Sequence, residues 1–185
     1  MSLIDLFCSR HNFQKQLSQQ RARLFRIAFA WSHDRALADD LVQETIYKAL
    51  KYSDQLRDLE MLDNWLFRIL ANCWRDHFRQ QHPTDNIDDI TLSINETPQT
   101  VHEHHTMIAE VRRTIADLPF TQRQILSLVD LEEFSYAEVA DILNIPIGTV
   151  MSRLSRARQQ LANKLLTTEQ RATDGMSTSK LRSVK

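Results

Sequence analysis

Thr149, Ser152, Arg153, Arg156 and Arg158 are the most chemically suggestive set in the chain. All lie in FSYAEVADILNIPIGTVMSRLSRARQQL, from Phe134 to Leu161. Hydroxyl and guanidinium groups in such a pattern hold phosphate oxygens and read guanine edges, and they perform no covalent step. No acid occurs between Asp141 and Glu169, so the stretch is locally cationic. Val139, Ala140 and Leu143, and then Val150 and Leu154, recur at three- and four-residue spacings, so each flank carries an apolar stripe. Leu143-Asn144-Ile145-Pro146 separates the flanks. Asn tolerates the left-handed conformation of a sharp helix exit, and Pro suits the start of the next helix. This is a helix-turn-helix, whose second helix fits a DNA major groove. A solvated amphipathic helix is the plainer alternative, but turn chemistry, stripe and charge agree on DNA binding.

Composition limits what can position that unit. Two Gly and four Pro in 185 residues, with abundant Leu, Ala, Arg, Gln and Glu, predict an all-α protein. The net charge of −1 means that any DNA contact must come from local asymmetry. Cys8 and Cys73 are too few for a disulfide framework, and they suit a reducing cytosol as small apolar residues. There is no apolar run long enough to span a membrane and no signal-peptide pattern, so the expected location is cytoplasmic. No nucleophile–base–acid set or phosphate loop stands out, so neither catalysis nor a cofactor is expected.

From the N-terminus, Leu3, Phe7, Phe13, Leu17, Leu24, Ile27, Ala28 and Trp31 space out one or two helices, and Ser32-His33-Asp34 breaks them. ALADDLVQETIYKALKY predicts a further helix with Leu37, Leu41, Ile46, Ala49 and Leu50 inward. Asp39, Asp40, Gln43 and Glu44 crowd its other face, near the end where acids suit the helix dipole. A turn-rich break, Ser53 to Asp63, leads to LDNWLFRILANCWRDHFRQQ. Its inward stripe is Leu66, Ile69, Leu70, Cys73 and Trp74, with Asn72, Arg75, Asp76, Arg79 and Gln80 opposite and Arg68 also available. Asn and Arg on a helix suit unstacked bases and phosphates, although polar residues on such a helix are more often simply solvated.

Pro83 stops that helix. From there to about Thr106 the chain is polar and acidic, with Pro98 and no periodicity, which predicts a flexible linker. Extended, it reaches roughly 65 Å, comparable with two turns of B-DNA. Helical spacing returns with Val111, Ile115 and Leu118 before Pro119. Thr121 is a candidate cap for a helix with Ile125, Leu126, Leu128 and Val129 inward. The tail beyond Leu166 is small, polar and mildly basic, and is expected to be mobile. The expected organisation is therefore two small helical domains, 1–82 and 107–166, joined by an acidic linker, 83–106, and followed by a tail, 167–185.

Taken together, these motifs resemble bacterial sigma factors of the sigma-70 family, in particular the extracytoplasmic-function (ECF) subfamily built from regions 2 and 4 alone. DDLVQETIYKAL is similar to its core-polymerase-binding helix, DNWLFRILANCWRDHFR to its −10 promoter helix, and LPFTQRQILSLVDLEEFSYAEVADILNIPIGTVMSRLSRARQQL to its −35-reading domain. The resemblance covers about residues 5–166. It implies that Asp40, Gln43 and Glu44, with Asp39 beside them, meet the clamp helices of the largest polymerase subunit. It implies a −10 site of Asn72 and Asp76 with Arg68, Arg75 and Arg79, and a loop from Ser53 to Asn64, including Leu56, that captures a flipped base. Trp65 is expected to pack that loop against its helix. In region 4 it implies that Met151, Ser152, Ser155 and Arg156 face the groove, while Thr149, Arg153 and Arg158 anchor phosphates. Many members carry Lys or Arg where Met151 stands and an aromatic or His where Ser155 stands, so the sequence read is this chain's own. The implied function is signal-responsive promoter recognition, −10 melting and initiation. The implied partners are core polymerase, promoter DNA and an anti-sigma factor, often membrane-tethered. The acidic linker would imitate RNA near the exit path.

Two rival readings are weaker. An independent helix-turn-helix regulator accounts for residues 134–161 but not for the first bundle. His102, His104 and His105, with His82 as a fourth candidate, could bind Zn or Ni, but their spacing matches no tetrahedral motif, so no metal site is expected.

Overall fold

A computed structural model describes the backbone of residues 3–56, 58–81 and 113–179, and the side chains of 12–56, 58–80 and 113–166. The linker with its histidines, and the side chain of Cys8, lie outside the described residues. All regular structure among those described is helical. The N-terminal half has α1 (Leu3–Ser32), α2 (Arg35–Lys51) and α3 (Leu62–Gln81), with short 3₁₀ turns at Ser53–Gln55 and Leu59–Met61 between the last two. The C-terminal half has a helical turn at 113–116, then α4 (Phe120–Leu126), α5 (Tyr136–Leu143) and α6 (Ile147–Ser179).

The predicted break after Ser32 is real. His33 adopts φ 52°, outside helical space, and the Asp34 carboxylate then caps α2 by accepting from the Ala36 and Leu37 amides at 2.8 and 3.2 Å. The inward face of α2 is Ala38, Leu41, Val42, Thr45 and Ala49. Leu50, expected inward, is exposed, because this row lies one position round from the one read in the sequence. Thr45 is accommodated by donating its hydroxyl to the Leu41 carbonyl at 2.7 Å.

In α3, Leu66, Leu70, Cys73 and Trp74 are buried as the stripe required, and so are Phe67, Ala71 and Phe78. One stripe was too few because α3 packs against the N-terminal helices on one side and against α5 on the other.

α4 starts at Pro119, with no side-chain cap. Thr121 lies inside the helix and is buried, so it is not the cap. Ile125, Leu126 and Leu128 are buried as expected, and Val129 is half-buried. The helix then widens into a π-helical segment, Ser127–Leu131, and leaves through Glu133 at φ 60°. That wide turn, with the Phe134 amide on the Leu128 carbonyl at 3.2 Å, returns Glu132 and Phe134 toward the N-terminal half. α6 continues helically to Ser179 through much of the expected tail.

The two halves share one continuous apolar cluster. Phe120 stacks on Trp74 with centroids 5.1 Å apart and meets Trp31 edge-on at 6.5 Å, while Phe134 meets Phe67 edge-on at 5.1 Å. The Trp31 indole donates to the Ser127 hydroxyl at 2.7 Å. Each aromatic pair contributes about 0.5–1.5 kcal/mol beyond the area it buries. The sequence predicted halves tethered only through the linker; here side-chain packing also holds them together.

Candidate nucleic-acid and polymerase interfaces

The helix-turn-helix forms as its residues dictate. A capping box starts α5: the Ser135 hydroxyl accepts from the Glu138 amide at 3.3 Å and the Glu138 carboxylate from the Ser135 amide at 2.8 Å. Asn144 ends it in the left-handed region, φ 54° and ψ 53°, and the Ile145 amide reaches back to the Ala140 carbonyl at 3.0 Å. Pro146 then accepts the first amides of α6, from Thr149 and Val150. Val139, Ile142 and Leu143 pack against Val150, Leu154 and Ala157, all buried.

The arc of α6 opposite that stripe carries the seven residues expected to read DNA. Met151, Ser152, Ser155, Arg156 and Arg158 are exposed, and Thr149 and Arg153 are half-buried. Arg158 is not held for phosphate alone: its guanidinium donates to Asp130 at 2.6 Å.

On α3, Asn64, Arg68, Asn72, Arg75 and Arg79 share one face by their three- and four-residue spacing. Asn72 and Arg79 are exposed, and Asn64, Arg68 and Arg75 are half-buried. Arg75 donates to the Asn72 side-chain oxygen at 2.9 Å and to the Leu143 carbonyl at 3.2 Å, and Arg68 donates to Asp141. Two of the expected −10 cations are thus engaged by α5. Asp76, one turn beyond Asn72 on α3, is exposed and also approaches Lys48 of α2 at 3.8 Å. Leu56 and Trp65 are half-buried against the core, consistent with Trp65 as a packing residue.

The Leu59–Asn64 end of the loop is fixed from α1. Gln20 donates to Asp63 at 2.7 Å, and Arg23 bridges the same Asp63 and Glu132. No spacing pattern in the sequence announces a contact between residues so far apart.

The acidic face of α2 also forms. Asp40, Gln43 and Glu44 are exposed, while Asp39 is half-buried, 3.9 Å from Arg21. Lys48 bonds Glu44 at 2.8 Å, and that hydrogen bond is the main reason its pKa is raised. The sequence reading missed Tyr47, which is 64 % exposed three residues after Glu44 on the same side; its i+3 spacing could have revealed it.

Two buried groups and the half-buried His33 are shifted from their ordinary pKa values. Burial pushes the Cys73 thiol up, which fits a small apolar residue rather than a reactive thiolate. Burial brings Arg123 down to about 10, and its only described bond runs from Nη1 to the Ala116 carbonyl at 2.8 Å. His33 is held down to about 4, first by burial and then by the Arg123 guanidinium, with Asp117 opposing. Among the described residues no group of His, Cys, Asp or Glu is placed to hold a metal, and no helix is long and apolar enough to cross a membrane.

A helix-turn-helix half, with a second helical half that offers an acidic face on one helix and an Asn/Arg face on another, is a two-region all-helical architecture of the kind that sigma factors share. The profile of sigma-70 region 2 matches residues 17–84, and that of sigma-70 region 4 matches 108–161. Over 140 residues the chain is 36% identical to the ECF RNA polymerase sigma factor EcfG of Rhodopseudomonas palustris (strain TIE-1), covering 76% of each chain. It is 32% identical over 158 residues to SigM of Mycobacterium tuberculosis, spanning 84% of this chain and 78% of that one. The fold is similar to that of the sigma factor RpoE solved with the anti-sigma factor NepR from Bartonella quintana: TM-score 0.69, 29% identity, 83% of this chain and 96% of that one. CnrH, solved with the cytosolic domain of CnrY, shares the fold at TM-score 0.62 and 23% identity, over 85% and 90% of the two chains. The chain belongs to the ECF sigma factors of the sigma-70 family. It is a promoter-directing subunit that binds RNA polymerase.

Proposed function

We propose the following division of labour within that role. Asp40, Gln43 and Glu44 of α2, flanked by Asp39 and Tyr47, meet the clamp helices of the largest polymerase subunit. The α3 face of Asn64, Arg68, Asn72, Arg75 and Arg79, with Leu56 and the loop before it, takes the −10 strand and a flipped base. Asp76 contributes one turn beyond Asn72 on the same face. Melting is then a matter of binding energy: a pocket and stacking must return the few kcal/mol, roughly, that flipping costs. The α6 arc of Thr149, Met151, Ser152, Arg153, Ser155, Arg156 and Arg158 reads the −35 duplex. The supporting observation is that one compact chain carries a helix-turn-helix arc and a separate Asn/Arg helix face, as recognition of two promoter elements requires. The resemblance to RpoE, solved with an anti-sigma factor, supports control by a partner of that kind, whether soluble or membrane-anchored. We place the activity in the bacterial cytoplasm with the polymerase.

Run-off transcription on fragmented genomic DNA, with core polymerase and with or without this protein, tests the role. Discrete transcripts that depend on the protein are expected. Their absence, together with specific duplex binding by the protein alone, would favour an independent regulator. In the same assay Asn72→Ala should impair −10 opening, and Arg156→Ala should weaken −35 binding by about 1–3 kcal/mol, as for loss of a good base contact. Both variants should keep core binding; equal loss of core binding would overturn the assignments.

A further inference from the structure

We propose that Ile147 and Met151 read thymine 5-methyl groups in the −35 duplex, and that Gly148 leaves the room that brings the groove floor to them. This rests on the reading of α6 as the −35 helix and names what one side of it recognises. Ile147, Met151, Ser155 and Arg158 follow one another at four-, four- and three-residue steps, so they form a single row. Ile147 is 50% exposed and Met151 53%, next to each other on that row. The core takes neither, because the buried stripe of α6 is Val150, Leu154 and Ala157. The row's one cation, Arg158, donates through Nη2 to Asp130 at 2.6 Å, so its charge is already paired within the protein. No acid occurs between Asp141 and Glu169, so what approaches this part of α6 is a polyanion. Of the groups that base pairs show in the major groove, the thymine methyl is the one that apolar side chains contact. Met151 suits it, since an unbranched thioether adapts to an uneven surface.

Gly148 points the same way. Thr149, Ser152 and Arg156 make a second, polar row, and Gly148 lies between the two. It has no positive φ, and a Cβ there would meet nothing within 4 Å. Neither backbone conformation nor internal packing therefore calls for glycine, and alanine would suit the helix better. The missing side chain is explained from outside. A duplex can come nearer to the first turn of α6 by the depth of a methyl group, which puts base edges within reach of the short Ile147 side chain.

The test uses holoenzyme assembled from core polymerase and the full-length chain, with a promoter taken from the run-off transcripts. Its −35 element is made with thymine, with deoxyuridine at each thymine, and scrambled. Deoxyuridine keeps the base pair and the O4 acceptor and lacks only the methyl. Competition gel shifts read affinity. The wild type should prefer the thymine form by about fourfold for each methyl contacted, the factor expected for one buried methylene. Met151→Ala and Ile147→Ala should each reduce that preference, and Met151→Leu should keep it. Gly148→Ala should weaken binding to the thymine form while keeping or raising the urea midpoint of the chain; unchanged binding would remove the close approach. An element without A·T pairs would overturn the proposal, as would a preference undiminished in both alanine variants. Equal binding of native and scrambled forms would overturn the −35 reading itself. Discrimination against the scrambled form but not the deoxyuridine form would leave that reading standing and end the methyl proposal.

Discussion

Asn144 illustrates how one residue sets a functional angle. Its left-handed conformation turns α5 into α6, and a residue with a Cβ but no short polar side chain pays for that conformation. Asn144→Ala should lower stability by roughly 1 kcal/mol and Asn144→Gly by less, as read from urea midpoints at constant slope. Asn144 and Pro146 were legible because turn chemistry is local. Arg123 was not, because nothing in its neighbours along the chain says that tertiary packing will bury it. Its neighbour across the seam between the two halves, His33, carries a pH dependence. An unfolded chain takes up a proton near the ordinary 6.5, whereas the folded chain keeps His33 neutral down to about 4. Its contribution therefore leaves stability intact above 6.5 and reduces it as pH falls from 6.5 toward 4. Facing His33 are Phe29 near the end of α1 and Arg123 and Asp117 across the seam. His33→Gln should flatten the fall in urea-derived stability between pH 7 and pH 5; an unchanged slope would remove His33 as its source.

Among the elements, α5 has only eight residues, too few to persist without a cap and packing. Ser135→Ala should cost about 1 kcal/mol. It should also weaken −35 binding, because α5 carries the turn that orients α6; protection of α5 amides from hydrogen exchange would show whether that helix frays. Periodicity revealed α2, α3 and the helix-turn-helix with sound boundaries because each has at least one strong apolar row. The row on α2 was read one position out, which misplaced Leu50. On α3 the second apolar side, headed by Phe67, was missed because its partner Phe134 lies beyond the linker. The π segment had no sequence cue, since SLVDL reads as ordinary helix.

At the scale of the molecule, composition sufficed for the all-α class and the order of the blocks for the two regions. How the regions meet depends on pairs such as Trp74 with Phe120 and Arg23 with Glu132, which only three-dimensional packing unites. Because one apolar cluster serves both, thermal or urea unfolding of the chain should follow a single transition, with far-ultraviolet and near-ultraviolet signals coincident. Two separated transitions would mean that the seam contributes little to either half.

The seam also gives the protein a built-in optical signal. Of its three tryptophans, Trp31 and Trp74 lie against Phe120, while Trp65 packs within region 2. Parting the halves would move two indoles from an aromatic contact toward water, shifting their emission to longer wavelength and exposing them to iodide. Engagement with polymerase, nucleic acid or an inhibitor could then be followed in unlabelled protein, by a colour change arising where the two regions touch.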